Sequence, residues 1–390
     1  MAAERILLVS GDFPPSFSGV GDYTDKLAAA LHEAGADVTV LTTASDNAGD
    51  SRRPFPVLRT ISRWGLSQRK AILAACRQGF DIVHLQYPGV SYGRGPMINL
   101  LPAMLRMGPD APRTVLTVHD FRVMRRRWRA RMAPMMWAVN GIVHVDEKDW
   151  PWIRAWGVSE NKPHTNISIA ANVDPLPVDD ASRRQWRTEF GFADDETVIA
   201  FFGILYPHKG ISELLEAVKD THGQGRKVRL LVLGDFDRQA PWRAGMEQML
   251  ADPLVRWERG ATLEQVSRGL HAADLAALPF HSGASTNRSS MLAALDHGLP
   301  TITTNGPATP SGFDKMFDLL LVPVNDRAAL AAAIARLMDN PPLRARMRES
   351  ALARRRTWAS IAADTIAFYE SLDEGKAPAA DVRGKSMGAA

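Results

Sequence analysis

Short, almost unbroken apolar runs recur along the whole chain, and most are followed by a stretch of helical spacing. RILLVSG, DVTVLTT, PVLRTI, DIVHLQY, TVLTVHD, GIVHV and NISIAA come first, with helical segments such as DYTDKLAAALHEAG and LSQRKAILAACRQG between them. A strand that is apolar at nearly every position needs cover on both faces, and a parallel sheet flanked by helices supplies it. The alternation stops at residues 172 to 182, NVDPLPVDDAS, where Pro and Asp accumulate. It then restarts with VIAFFGIL, VRLLVLGD, VRWERGA, DLAALPF, TITTN and LLLVP. A chain of 390 residues is also longer than one hydrophobic core serves. The expected fold class is therefore α/β: two tandem doubly wound, Rossmann-like domains, residues 1–172 and 183–356, facing each other across a cleft. A C-terminal helix is expected over 357–372, and the low-complexity residues 373–390 read as a disordered tail.

Composition narrows the function classes. A single cysteine, Cys76, excludes an intramolecular disulfide framework and a cysteine-based zinc site. No apolar run reaches the length of a membrane span, and MAAERILLVSGDF lacks the apolar core of an export signal, so a cytoplasmic location is expected. Aromatic residues are 7% and no nucleic-acid reader module is present, so no nucleic-acid partner is expected. The net charge of +4 is mild, but basic residues concentrate in FRVMRRRWRARMAPMMW, residues 121–137. At four-residue spacing Met124, Trp128 and Met132 share a helix face, flanked by Arg125, Arg126, Arg127, Arg129 and Arg131. Two readings follow: a peripheral helix on an anionic membrane surface, or a core helix with a solvated arginine face.

The first strand runs straight into GDFPPSFSGVGDYTDKLAAAL. A strand, a glycine-bearing turn and a helix start can hold phosphate, because helix-start N–H groups are unpaired and the peptide dipoles favour negative charge there. Gly19 and Gly21 stand too far from Gly11 for a dinucleotide fingerprint, and Gly21 is followed by Asp22 and Tyr23 rather than by the Lys and Ser/Thr of a P-loop. Either the two glycines bind a different phosphate, or they only permit a turn with positive φ.

Taken in order, these segments resemble the family 4 glycosyltransferases, enzymes of GT-B fold. DFPPSFSGVGDYTDKLAAAL is similar to their N-terminal signature, DIVHLQY and VLTVHDF to two further strand ends, and FFGILYPHKGISELLEAV to the first strand–loop–helix of their donor domain. VRLLVLGD, VRWERGATLEQVSRGLHAADLAALPF and LAALDHGLPTITT follow in the family's order, so that the match covers roughly residues 4–372. The resemblance implies C-terminal helices that pack back towards the N-terminal domain. It also implies transfer of a hexosyl group, with retention, from a nucleotide-diphosphate sugar to a glycan or lipid-linked acceptor. No cofactor or metal is expected, because GT-B enzymes neutralise the diphosphate with protein groups.

Carried onto this chain, the resemblance makes His119 and Asp120 the catalytic pair beside the reacting sugar. Gly19, Gly21, Lys209, Ser285, Asn287, Arg288, Ser289 and Ser290 become donor-binding, and His84 and Gln86 line the acceptor side. The chain departs from the family at three positions. Ile204 stands where an arginine follows the strand glycine, and Ser285 and Ala293 stand where two glutamates contact the donor. Arg288 is the candidate replacement for the missing cation, and Ser285 or Asn287 for the sugar contact. The alternative reading is a non-catalytic GT-B module that binds a nucleotide sugar or a partner transferase. A sugar-nucleotide epimerase is a weaker competitor, since the acid/base carboxylates it needs cannot be placed.

Overall fold

The computed structural model describes residues 4–372 except 17, 46–47, 88–90, 109, 120 and 237–238. It divides into two units, one of residues 1–169 with 357–390 and one of residues 170–356. The first is built on β1 (Arg5–Ser10), β2 (Asp37–Thr43), β3 (Val57–Ile61), β4 (Ile82–Tyr87), β5 (Arg113–Val118), β6 (Gly141–His144) and β7 (His164–Asn166). Its helices are α1 (Gly19–Glu33), α2 (Arg69–Cys76), α3 (Met97–Arg106), α4 (Arg126–Ala138) and α5 (Asp149–Arg154). The second unit holds β8 (Thr197–Phe202), β9 (Val228–Leu233), β10 (Val255–Glu258), β11 (Leu275–Leu278), β12 (Thr301–Asn305) and β13 (Leu320–Pro323). Its helices are α6 (Asp180–Glu189), α7 (Ile211–Gly223), α8 (Arg243–Leu250), α9 (Leu263–Ala272), α10 (Ser289–Asp296), α11 (Phe313–Phe317), α12 (Arg327–Met338) and α13 (Pro341–Leu352). A last helix, α14 (Trp358–Ser371), belongs to the first unit and packs along α1.

Every strand pairing is parallel, in the orders β3-β2-β1-β4-β5-β6-β7 and β10-β9-β8-β11-β12-β13. Each apolar run of the sequence is a strand, although NISIAA contributes only its first residue to β7. The inner strands are sealed on both faces, as their continuous hydrophobicity requires: Ile6 to Val9 and Leu230 to Leu233 are all fully buried. In each sheet the chain reverses its direction of growth once, between β1 and β4 and between β8 and β11. In open parallel sheets, ligands bind outside the carboxyl ends of the strands at such reversals. The loop after β1 leads into the first turn of α1 with Gly19 and Gly21, and the loops that carry Lys209 and Arg288 follow β8 and β11. The fold thus sets those motifs at the two switch points.

Candidate functional site

Beyond β1 the chain is fastened from several sides. The Ser10 hydroxyl donates to the Asp12 carbonyl (2.6 Å), Thr43 Oγ1 to the Gly11 carbonyl (2.5 Å) and Ser91 Oγ to Asp12 Oδ2 (2.5 Å). The Arg53 and Arg59 guanidiniums lie over the Phe13 ring, Arg59 donates to the Pro14 carbonyl, and Asp25 and Asp50 hold both arginines by ion pairs. This well-tied loop leads into α1, whose N-cap Ser18 accepts the Gly21 N–H (3.3 Å). Neither Gly19 nor Gly21 has positive φ, since both are helical residues of the first turn. The turn reading of these glycines is therefore corrected. A β-carbon at Gly21 would stand 3.2 Å from the Phe13 backbone, a tight approach, whereas one at Gly19 would meet nothing within 4 Å. Asp22, on the same turn, has its carboxyl pushed up to about 6, first by burial and then by the Asp25 charge.

The polar residues on β4 and after β5 turn inward. His84 is expected at an acceptor surface, but it is a core residue with 1% of its surface exposed. Its ring nitrogens are taken by Tyr369 Oη of α14 and Thr117 Oγ1, each at 2.6 Å. Burial, followed by the neighbouring His119, lowers its pKa to about 3, so the ring is neutral. Continuous apolar patterning does not say which strand face meets a helix, and α14 covers this one. Gln86 is fully buried too; its Oε1 lies 3.1 Å from His119 Nε2. His119 is 6% exposed, with the Tyr23 ring edge-on at 4.9 Å and Trp358 of α14 packed behind Tyr23 at 5.2 Å. The Asp149 carboxylate anchors the segment after it, accepting the Phe121 and Arg122 N–H groups at 3.3 and 3.2 Å. Asp120 lies outside the described residues, as does the tail at 373–390.

The second unit displays what the first conceals. After β8 the chain makes a short 3-10 turn over Pro207–Lys209 and enters α7 through Gly210, at φ +74°. A β-carbon at Gly210 would collide with the Pro279 carbonyl, so only glycine allows this loop to lie against the end of β11. The His281 N–H donates to the His208 carbonyl (3.1 Å) and fixes the two segments together. Lys209 Nζ lies 5.1 Å from the centroid of the Phe280 ring and Arg288 Cζ 4.7 Å from it. Arg288 also donates to Ser282 Oγ (2.5 Å), and its own position is the N-cap of α10. Ser289 and Ser290 form the first turn of that helix, and a β-carbon on Gly203 would stand 3.5 Å from Ser290 Cβ, so α10 starts against the end of β8. The two sequence-predicted cations and the helix start are thus gathered into one place. His281 Nε2 pairs with Glu213 Oε1 of α7 at 3.0 Å. The pKa of His208 is lowered by burial and then by the charges of Lys209, Arg288 and His281.

Ser285 is buried (7% exposed), its carbonyl accepting the Arg288 N–H, while Asn287 is half-buried and accepts from Thr286 Oγ1. Ala293 is fully buried. Sequence reasoning missed Phe280, which reads only as the end of an apolar strand, and the Arg53–Arg59 clasp, whose parts lie far from the loop in sequence.

The basic segment differs from its expected form. α4 begins at Arg126, so Met124 precedes the helix, and Met132, Met135 and Met136 are fully buried core residues. Met132 is thus no part of an apolar surface stripe. Arg129 donates to the Arg122 and Met124 carbonyls, and Arg131 to Asn99 Oδ1 and the Gly95 carbonyl. Arg125, Arg126 and Arg127 remain exposed, while Trp152, 45% exposed, carries the Arg129 guanidinium over its ring at 5.0 Å. Among the described residues no helix is long and apolar enough to cross a membrane.

Residues 182–354 match the model of the glycosyl transferases group 1, and residues 18–162 that of the glycosyl transferase 4-like domain. A D-inositol 3-phosphate glycosyltransferase of Corynebacterium glutamicum is 28% identical over 215 residues, 52% of this chain and 50% of the relative. This chain thus spans about half the length of that relative. A phosphatidyl-myo-inositol mannosyltransferase of Mycolicibacterium smegmatis is 23% identical over 91% of this chain and 90% of its own. Among solved structures, Anabaena HepE in complex with UDP and glucose superposes with a TM-score of 0.74 at 14% identity, over 94% of this chain and 100% of that one.

Proposed function

Because the chain belongs to the group 1 glycosyltransferases with a family 4-like first domain, we propose that it transfers a hexosyl group from a nucleotide-diphosphate sugar to a glycan or lipid-linked acceptor, with retention. The observation that carries this reading is the convergence of Lys209 and Arg288 on one ring at a switch point, beside the start of α10. Transfer requires a diphosphate to leave while the sugar becomes cationic. Fixed cations and helix-start N–H groups lower that barrier by meeting the charge as it develops. Arg288, in this reading, supplies the charge that Ile204 lacks. In this reading His119, oriented by Gln86 and Tyr23, lies beside the reacting sugar. The relatives' names support an inositol-bearing or lipid acceptor.

A second reading, a nucleotide-sugar-binding module without catalysis, is favoured by the buried Ala293 and Ser285, which put no carboxylate where the family contacts its donor. One experiment separates them. A thermal-shift screen against UDP, GDP, ADP and TDP sugars identifies the donor through the stabilisation that binding confers, and the radiolabelled form is then offered to a membrane and glycan extract. Binding with transfer is the expected result. Binding without transfer leaves the module, and no binding refutes both.

Exposed Arg125, Arg126 and Arg127 support docking of the first unit on anionic headgroups, where a lipid-linked acceptor would lie. The protein should co-sediment with phosphatidylglycerol vesicles and be released by salt, and replacing the three arginines by Ser should abolish the binding. Equal partitioning onto neutral vesicles would refute it.

A further inference from the structure

Resting on the donor-site reading above, we propose that Phe280 is the positioning residue of the diphosphate cradle: its ring face gathers Lys209 and Arg288 and holds them aimed before the anion arrives. Two elements close on this side chain. The Lys209–Gly210 loop passes close to the Pro279 carbonyl and is fixed to the segment after β11 by the His281 N–H to the His208 carbonyl. Arg288 reaches it from the N-cap of α10 and is steadied by Ser282 Oγ at 2.5 Å. The ring itself is 1% exposed and packed in the core of the second unit, so it is a fixed platform.

The two cations stand 5.1 and 4.7 Å from the ring centroid, inside the range in which an aromatic quadrupole attracts positive charge. Two like charges brought to one place repel, and long flexible side chains escape such repulsion by swinging into water. A ring with a negative face offsets part of that cost while itself carrying no charge. A carboxylate in the same position would neutralise the cations and repel the phosphate. Phe280 therefore keeps the cradle positive and ordered, and the ordering that a diphosphate would otherwise have to impose is already made. The pKa of His208 is lowered first by burial and then by the charges of Lys209, Arg288 and His281.

The test grades the ring's electrostatics and leaves its shape nearly constant. Phe280 is replaced in the full chain by 4-fluoro-, 3,5-difluoro- and 3,4,5-trifluorophenylalanine, and UDP, GDP, ADP and TDP are titrated by calorimetry. The dissociation constant of the nucleotide that binds should climb with each fluorine, reaching about three- to tenfold at the trifluoro ring, with the melting temperature unchanged. Phe280→Tyr should bind like the unmodified protein. A flat series, or tighter binding as the ring loses negative charge, overturns the role of Phe280 and leaves the cradle standing. Failure of the unmodified protein to bind any of the four nucleotides overturns the donor-site reading and this proposal with it.

Discussion

At the carboxyl ends of β4 and β5 the polar side chains turn into the protein, whereas after β8 and β11 the cations stand half out of it. His84, Gln86, Thr117 and His119 are each at most 6% exposed, while Lys209, Arg288, Asn287 and Ser289 are half-buried. The chemistry of the groups explains the difference. A neutral imidazole or amide can be buried at small cost when its nitrogens and oxygens find partners, as those of His84 do. Lysine and arginine resist full burial, and a site for a doubly charged ligand needs them reachable yet held. One edge thus buries neutral polar groups and the other presents cations, although the two sheets share one architecture.

The sharpest way to break this contrast is at His119. If the first unit orients a reacting group and takes no part in holding the nucleotide, His119→Ala leaves nucleotide-diphosphate affinity nearly unchanged. Turnover should then fall by about two to four orders of magnitude, the usual scale for a positioned group at a reacting centre. Calorimetry paired with radiolabelled transfer reads both quantities. Affinity lost in step with turnover would place His119 among the nucleotide contacts and erase the division of labour.

The converse effect is expected in the second unit and is smaller. Lys209→Ala and Arg288→Ala should each weaken nucleotide-sugar binding by roughly tenfold to a hundredfold, the loss of one charge-assisted contact of about 1.5–3 kcal/mol. Both should also flatten the salt dependence of binding, because each removes a charge that the diphosphate meets. Unchanged affinity in both variants would mean that the anion binds elsewhere and that the half-buried cations are surface residues only.

How much of this contrast the sequence discloses depends on the kind of signal. The parallel sheets are legible because strands apolar on both faces admit few other architectures, whereas Lys209 and Arg288 are candidates only through the resemblance of their segments to a family's donor domain, since a loop lysine or a helix-start arginine by itself reads as a solvated residue. The orientation of His84 is not legible. In a strand buried on both faces, alternation no longer separates inside from outside, and the helix that covers it arrives from residues 358–371, at the far end of the chain. Phe280 escapes notice for a related reason: an aromatic residue closing an apolar run reads as core, which it is, and its second task exists only because two distant cations fold over it.

His84 offers the finest test of the inward-turned edge, through acid. Its folded-state pKa is about 3, against an ordinary value of 6.5, because burial disfavours the charged ring and His119 adds to the effect. The unfolded chain takes up a proton below pH 6.5 and the folded one does not. The stability that the neutral ring confers is therefore fully present above pH 6.5 and is lost progressively as pH falls towards 3. Between pH 7.5 and 5.5 that loss amounts to about 1.4 kcal/mol, one pH unit of differential protonation. His84→Gln keeps a donor and an acceptor between Tyr369 and Thr117 but cannot titrate. Urea unfolding of the two proteins at pH 7.5 and 5.5 should show the natural chain losing about 1.4 kcal/mol more than the variant over that interval. Equal losses would mean that the His84 ring takes a proton in the folded protein as readily as outside it, which a sealed imidazole between a tyrosine and a threonine cannot do. The edge of the first sheet would then be open to water, and the contrast with the second would rest on side-chain type alone.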